Sequence, residues 1–137
     1  MKTSIIMSLL FLSLTACNTS KPVEALYGTT WELDYLSGPR IAFDGLFSDK
    51  KPQLEFNREE GIVTGNSGCN GYSAQFKVDG NTISFGEPGP STLMYCGEGE
   101  TFFRNTIKKV NRFKIYQNGK LNIMLNDVPM MRFKKIQ

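Results

Sequence analysis

The chain has 137 residues, 40% hydrophobic and 21% charged, with 16 basic against 13 acidic side chains and a net charge of +3. That composition fits one globular domain and excludes disordered, collagen-like and coiled-coil chains, while the interleaved charges exclude a dedicated nucleic-acid binder. Histidine is absent, which removes Ser-His-Asp and Cys-His nucleophile pairs, a histidine general base and His-ligated zinc. Any chemistry would rest on carboxylates, Lys, Tyr or the cysteines, so the expectation is a non-enzyme with no catalytic residue, cofactor or metal.

Met1-Lys2 supplies a short positive start, and Ile5 to Leu14 an apolar run. That run is far below the roughly 20 residues a helix needs to cross hydrocarbon, and it has the length of a secretory leader. Leu14-Thr15-Ala16-Cys17 follows and resembles the bacterial lipobox, in which the cysteine becomes the lipidated N-terminus. The expected organisation is a lipoprotein signal peptide over 1–16, a lipidated tether over 17–25 and a single domain over 26–137. Lipid on Cys17 would hold the protein to a membrane of the bacterial envelope. Asn18 is not Asp, which favours the outer membrane, facing the periplasm.

From Leu26 onward the apolar period is two. Thr30 to Leu36 places Trp31, Leu33 and Tyr35 on one face; Pro52 to Asn57 aligns Leu54 and Phe56; Gly61 to Gly65 carries Val63. Gly71 to Val78 alternates Tyr72, Ala74, Phe76 and Val78 with polar residues, and Asp79-Gly80-Asn81 turns the chain into Thr82 to Phe85. Arg112 to Tyr116 and Leu121 to Leu125 flank Asn118-Gly119, a strong hairpin signal, and Asn126-Asp127 precedes Val128 to Lys134. This predicts about eight strands.

Glu98 to Val110 breaks that period. Phe103, Ile107 and Val110 form a stripe at helical spacing, with Glu98 and Glu100 at the start and Lys108 and Lys109 at the end. The fold class is therefore α+β, mostly β: an antiparallel barrel or curved sheet with one packed α-helix.

Beyond Cys17, two cysteines remain, Cys69 and Cys96. An even pair in a secreted chain reads as a disulfide; two buried thiols or a reactive thiol are the alternatives, the last lacking a histidine to activate it. Gly65 to Gly71 (G-N-S-G-C-N-G) has neither the Walker nor the dinucleotide spacing. It reads as a tight connection with Gly and Asn at positive φ, or else as a backbone anion cradle. Ser37 to Lys51 is long for so small a domain and carries Ile41, Phe43, Leu46 and Phe47. It predicts a packed loop over a barrel end, with a partner-binding lid as the alternative. The basic residues of 108–120 and 132–135 read as a solvated face, or as one leaning towards anionic lipid.

Leu26 to Leu33 (L-Y-G-T-T-W-E-L), Gly68-Cys69-Asn70, Ser91 to Cys96 (S-T-L-M-Y-C), Glu100 and Phe103 occur in an order that resembles the META domain, the HslJ-like family of bacterial envelope proteins. The usual small residue before the second cysteine is Tyr95 here. The resemblance implies an incompletely closed β-barrel with one packed helix. It also implies association with stress responses, novobiocin resistance and, in trypanosomatids, virulence and secretion. It supplies no catalytic residue or cofactor. Trp31, Gly68, Asn70, Thr92 and the Cys69/Cys96 pair match its motif positions and are expected to be structural.

Two functions follow as expectations. One is a lipid-anchored, non-enzymatic envelope protein that assists stress tolerance or other envelope proteins through a binding surface. The other is a periplasmic carrier of a small apolar ligand inside the barrel, lined by Trp31, Phe56, Phe76 and Phe85.

Overall fold

The computed structural model describes residues 21–137; Cys17 and the expected signal peptide lie outside the described residues. Among the described residues are eight strands: β1 Thr30–Leu36, β2 Gln53–Asn57, β3 Ile62–Asn66, β4 Gly71–Asp79, β5 Thr82–Phe85, β6 Arg112–Ile115, β7 Leu121–Leu125 and β8 Val128–Lys135. Each pairs antiparallel with the next, and β8 returns to β1 from Trp31↔Lys135 to Leu36↔Met131. The barrel is therefore closed where an incomplete closure was expected. Its thinnest seam is β5–β6, with the single register pair Thr82↔Arg112. There Ile83 N–H donates to Asn111 O at 3.1 Å and Phe113 N–H to Asn81 O at 2.9 Å.

The period-two pattern maps onto the interior. On β4, Tyr72, Ala74 and Phe76 are buried while Gln75 and Lys77 are exposed. Trp31, Leu33, Leu54, Val63, Leu121, Ile123 and Phe133 are essentially inaccessible, and the Phe56 ring meets Phe76 edge-on at 5.1 Å. The expected face of β1 fails at one position. The β1–β8 register shifts between Leu33 and Tyr35, and such a bulge turns the following side chains over. Tyr35 is thus exposed and Leu36 takes the core position. The Asn118–Gly119 hairpin forms as its sequence predicts, with Gly119 at φ 77°.

The predicted helix is α3, Gly99–Ile107, preceded by Glu98, whose side chain makes no capping bond. It ends earlier than the stripe implied, because Lys109 N–H bonds back to Thr106 O at 3.0 Å. Val110 stays buried regardless, and Phe103 and Ile107 are fully buried. Phe103 stands edge-on to Tyr72 at 5.7 Å, so α3 closes one mouth of the barrel. Two one-turn helices were not anticipated: α1, Lys21–Glu24, and α2, Phe43–Leu46. The end of the expected tether is docked, since Val23 packs on the core and Glu24 pairs with Arg58 at 2.6 Å. In the long β1–β2 connection, Leu46 and Phe47 are buried, Phe43 is half-buried and Ile41 is exposed.

Strand direction alternates around the barrel, which gives the molecule two distinct ends. The chain enters at one, beside the β2–β3, β4–β5 and β6–β7 turns. The β3–β4 turn, the α2 loop, α3 and the β7–β8 turn lie at the other.

Candidate interaction site

The β3–β4 turn at the distal end carries the G-C-N tripeptide. Gly65 and Gly68 take positive φ, but Asn66 and Asn70 do not; they act through their side chains. Asn66 Oδ1 accepts from Gly68 N–H at 3.0 Å. Asn70 is buried and makes every bond its amide allows. Nδ2 donates to Met94 O at 2.7 Å and to Glu100 Oε2 at 2.6 Å, while Oδ1 accepts from Thr92 Oγ1 at 2.7 Å and Met94 N–H at 3.0 Å. A buried amide with four partners fixes its neighbours as firmly as it is fixed itself.

Glu100, on the first turn of α3, binds the same turn. Its Oε1 accepts from Asn70 N–H at 3.2 Å and from the buried Ser67 hydroxyl. Arg104, one turn on, donates through Nε to Ser67 Oγ at 3.1 Å and lies 3.4 Å from Glu100 Oε1. Its Nη2 donates to Gly71 O at 2.9 Å and to Ser91 Oγ at 3.3 Å. Burial pushes the Glu100 carboxyl up, but the bonds from Ser67 and from the Asn70 side chain and backbone, with the Arg104 charge, outweigh it and hold the group below the usual carboxylate range. Nearby, burial raises the Tyr72 hydroxyl to about 12 against the opposing pull of Arg104.

Cys69 and Cys96 form a disulfide across a separation of 27 residues, with their Cα atoms 5.9 Å apart. The segment 91–97 is irregular, yet it is fastened twice, by the disulfide and by Asn70. Its apolar side chains point outward: Leu93 is 96% exposed, Tyr95 85% and Met94 62%. Three successive large apolar side chains displayed on a fixed backbone are unusual on a protein surface. Ile41 and Val128 add exposed apolar area at the same end.

The motif residues thus come together, with one exception. Gly68, Cys69, Asn70, Thr92 and Cys96 share this site, and Gly68 lies against the Phe47 ring. Trp31 instead lies in the core at the opposite end, its Nε1 donating to Leu26 O at 2.9 Å. Ser67, Glu100 and Arg104 complete the cluster. Of these Glu100 alone belonged to the matched pattern, and no spacing rule marks a serine and an arginine 37 residues apart as partners.

A META domain profile matches residues 24–137. The chain belongs to the META domain family. No curated protein matches it by sequence. The NMR structure of a protein from Burkholderia xenovorans is similar, with a TM-score of 0.65 and 20% identity over 98% of this chain and 94% of that one; the likeness shows the fold. In this META domain the four aromatic residues expected to line a ligand cavity are packed into the core. Trp31, Phe56 and Phe76 are buried and Phe85 is half-buried, its ring 6.2 Å from Phe56. A separate groove of about 630 Å³ lies along the β5–β6 seam, lined by Val23, Asn81, Phe113, Ile115 and Tyr116 among others.

Proposed function

We propose that this META-domain protein is a lipid-anchored, non-enzymatic component of the bacterial envelope that binds another protein through the Leu93–Tyr95 loop. The observation that carries the reading is the exposure of that triad on a backbone held by Asn70 and the Cys69–Cys96 bridge. A fixed loop loses little entropy on docking, so exposed apolar area converts more fully into affinity. The polar cluster beneath it supports a structural role, because Asn70 is saturated and Ser67 is inaccessible.

The anchor is supported by Leu14-Thr15-Ala16-Cys17. With Cys17 lipidated, the end of the barrel at α1 faces the membrane and the loop faces away from it, towards protein. Stress tolerance is the role that the family resemblance suggests for such a surface. The test combines two measurements. Native protein should carry lipid mass on Cys17, and a photo-crosslinker at position 95 should give a discrete protein adduct in cells that one at exposed position 77 does not. No adduct from position 95 overturns the binding reading.

A second reading, an apolar-ligand carrier, draws support from the seam groove rather than from the barrel interior. Native mass spectrometry separates the two, since a carrier would hold a lipid-sized mass that Tyr116→Asp, at the exposed rim of the groove, displaces.

A further inference from the structure

The β5–β6 seam is unfinished at the α1 end. β5 begins only at Thr82, opposite Arg112, whereas β6 runs on to Ile115. Past the bond from Phe113 N–H to Asn81 O, no β5 residue pairs with β6. The gap is the groove of about 630 Å³, and Val23 of α1 lines it beside Ile115 and Tyr116. Phe113 is buried there, Val23, Ile115 and Met124 are half-buried, and Tyr116 is exposed at the rim. The charged groups are already engaged: Arg112 pairs with Asp127 at 3.0 Å, and Lys114 Nζ lies 4.8 Å from the Tyr116 ring centroid. Sites that hold small molecules measure roughly 300–1,000 Å³, so the groove has room for an acyl chain.

We infer that the occupant of the seam groove is an acyl chain of the protein's own lipid on Cys17, exchanging between the bilayer and the groove. This rests on the lipidated Cys17 of the proposed function. The place where the chain enters selects the occupant. Cys17 stands four residues before Lys21, where α1 begins, a reach of at most about 14 Å, and Val23 itself lines the groove. A tether this short holds the lipid at an effective concentration on the order of millimolar. The glyceryl thioether of a lipobox cysteine carries two acyl chains and no charge, so it needs no ion pair from the rim. Each chain that the groove holds is one fewer in the bilayer, and a stable anchor takes two, since a single chain binds marginally and reversibly. The groove thereby loosens the anchor and lets the protein pass between membranes, while the Leu93–Tyr95 loop at the other end stays free.

The test uses the lipidated protein in phosphatidylcholine vesicles, with a photo-crosslinker at exposed position 114 on the groove rim or, as control, at position 93 of the distal loop. After irradiation and digestion, position 114 should be joined to the lipopeptide that carries Cys17, in a yield that dilution does not change, and position 93 should not. Transfer of the protein to acceptor vesicles gives a second readout. Tyr116→Asp and Met124→Asp should each abolish the link and slow transfer about tenfold or more, because the sheathed chain returns to the bilayer. Unfolding midpoints of both variants should match wild type. Lipid mass on Cys17 with no link from position 114, or transfer unchanged by both variants, overturns the inference and leaves the anchor standing. A link to phosphatidylcholine in place of the lipopeptide also overturns it, and makes the groove a site for exchangeable lipid. No lipid mass on Cys17 removes the anchor and the inference together.

Discussion

Glu100 holds Asn70 by both its side chain and its main chain: Oε2 accepts from Nδ2 at 2.6 Å and Oε1 from the backbone N–H at 3.2 Å. Asn70 in turn holds the main chain of Met94 by its N–H and its C=O. The start of α3, the β3–β4 turn and the apolar loop are thereby one mechanical unit. Asn70→Asp should break it. The new carboxylate donates nothing to Met94 O and faces the Glu100 carboxylate across a buried gap. Bonds of this charged kind are worth about 1.5–3 kcal/mol each, and an unpaired buried charge adds to the loss. Urea unfolding should show a loss of about 3 kcal/mol or more, part of it recovered when Glu100→Gln is added. A loss below about 1 kcal/mol would mean that the clamp is not structural.

Acid should act on the same clamp. Glu100 is held low as described, and on the outer barrel wall Asp34 and Glu32 are also lowered. For Asp34, burial opposes the shift, but Lys120 and Arg132 overcome it; for Glu32, Gln53 and Lys134 do. A carboxyl lowered in the folded state binds protons more readily when unfolded. Its stabilisation is therefore complete above the unfolded value, about 4, and is lost as pH falls through the lower folded values. The unfolding midpoint should change little across neutral pH and drop in acid below about 4. Glu100→Gln should be less stable at neutral pH and show a shallower acid limb. An acid limb of unchanged slope in that variant would remove Glu100 from the account.

How much of this was legible depends on the distance over which each signal acts. Alternation along β2, β4 and β8 and the Asn118–Gly119 turn are short-range, and the strands fall where those patterns place them. Closure of the barrel depends on β8 reaching β1 about a hundred residues away, as in the Arg132–Asp34 pair 98 residues apart, and no local pattern carries that. The bulge that exposes Tyr35 follows from the same pairing. The motif residues Gly68, Asn70 and Thr92 pointed to the site and to a structural role, but not to the bonds each makes. An asparagine that accepts from Thr92 and donates to Glu100 looks, in sequence, like any turn asparagine. Leu93 and Met94 were equally opaque, because an apolar pair reads as core until the fold turns it outward.

The Cys69–Cys96 bridge gives a prediction that separates loop closure from local packing. Closing a loop of 27 residues stabilises the folded state by about 3–4 kcal/mol on the chain-entropy account. Cys69→Ala with Cys96→Ala should lower stability by that order. The loop itself should stay clamped, because Asn70 holds Met94 independently of the sulfurs. Intact mass should also fall short of the dithiol form by two protons, with no thiol alkylated before reduction. Alkylation of both cysteines without reductant would refute the bridge, and hydrogen exchange at Met94 rising to coil rates in the double variant would refute the independence of the two fasteners.

Gly65 and Gly119 offer a paired test of what glycine does in this barrel. Both have positive φ, 153° and 77°, but their surroundings differ. A Cβ at 65 would sit 1.9 Å from Gln53 O, where β2 crosses β3, while one at 119 meets nothing within 4 Å. Gly119→Ala therefore carries conformational strain alone, about 1–2 kcal/mol. Gly65→Ala adds a clash with main chain, which cannot swing aside as a flexible side chain does; β2 would have to separate from β3 there, breaking the Leu54↔Gly65 register. Its loss should exceed about 3 kcal/mol and can prevent folding outright. Urea midpoints of the two variants decide it. Equal losses would mean that the β2–β3 contact is looser than the geometry requires and that backbone conformation alone selects glycine at 65.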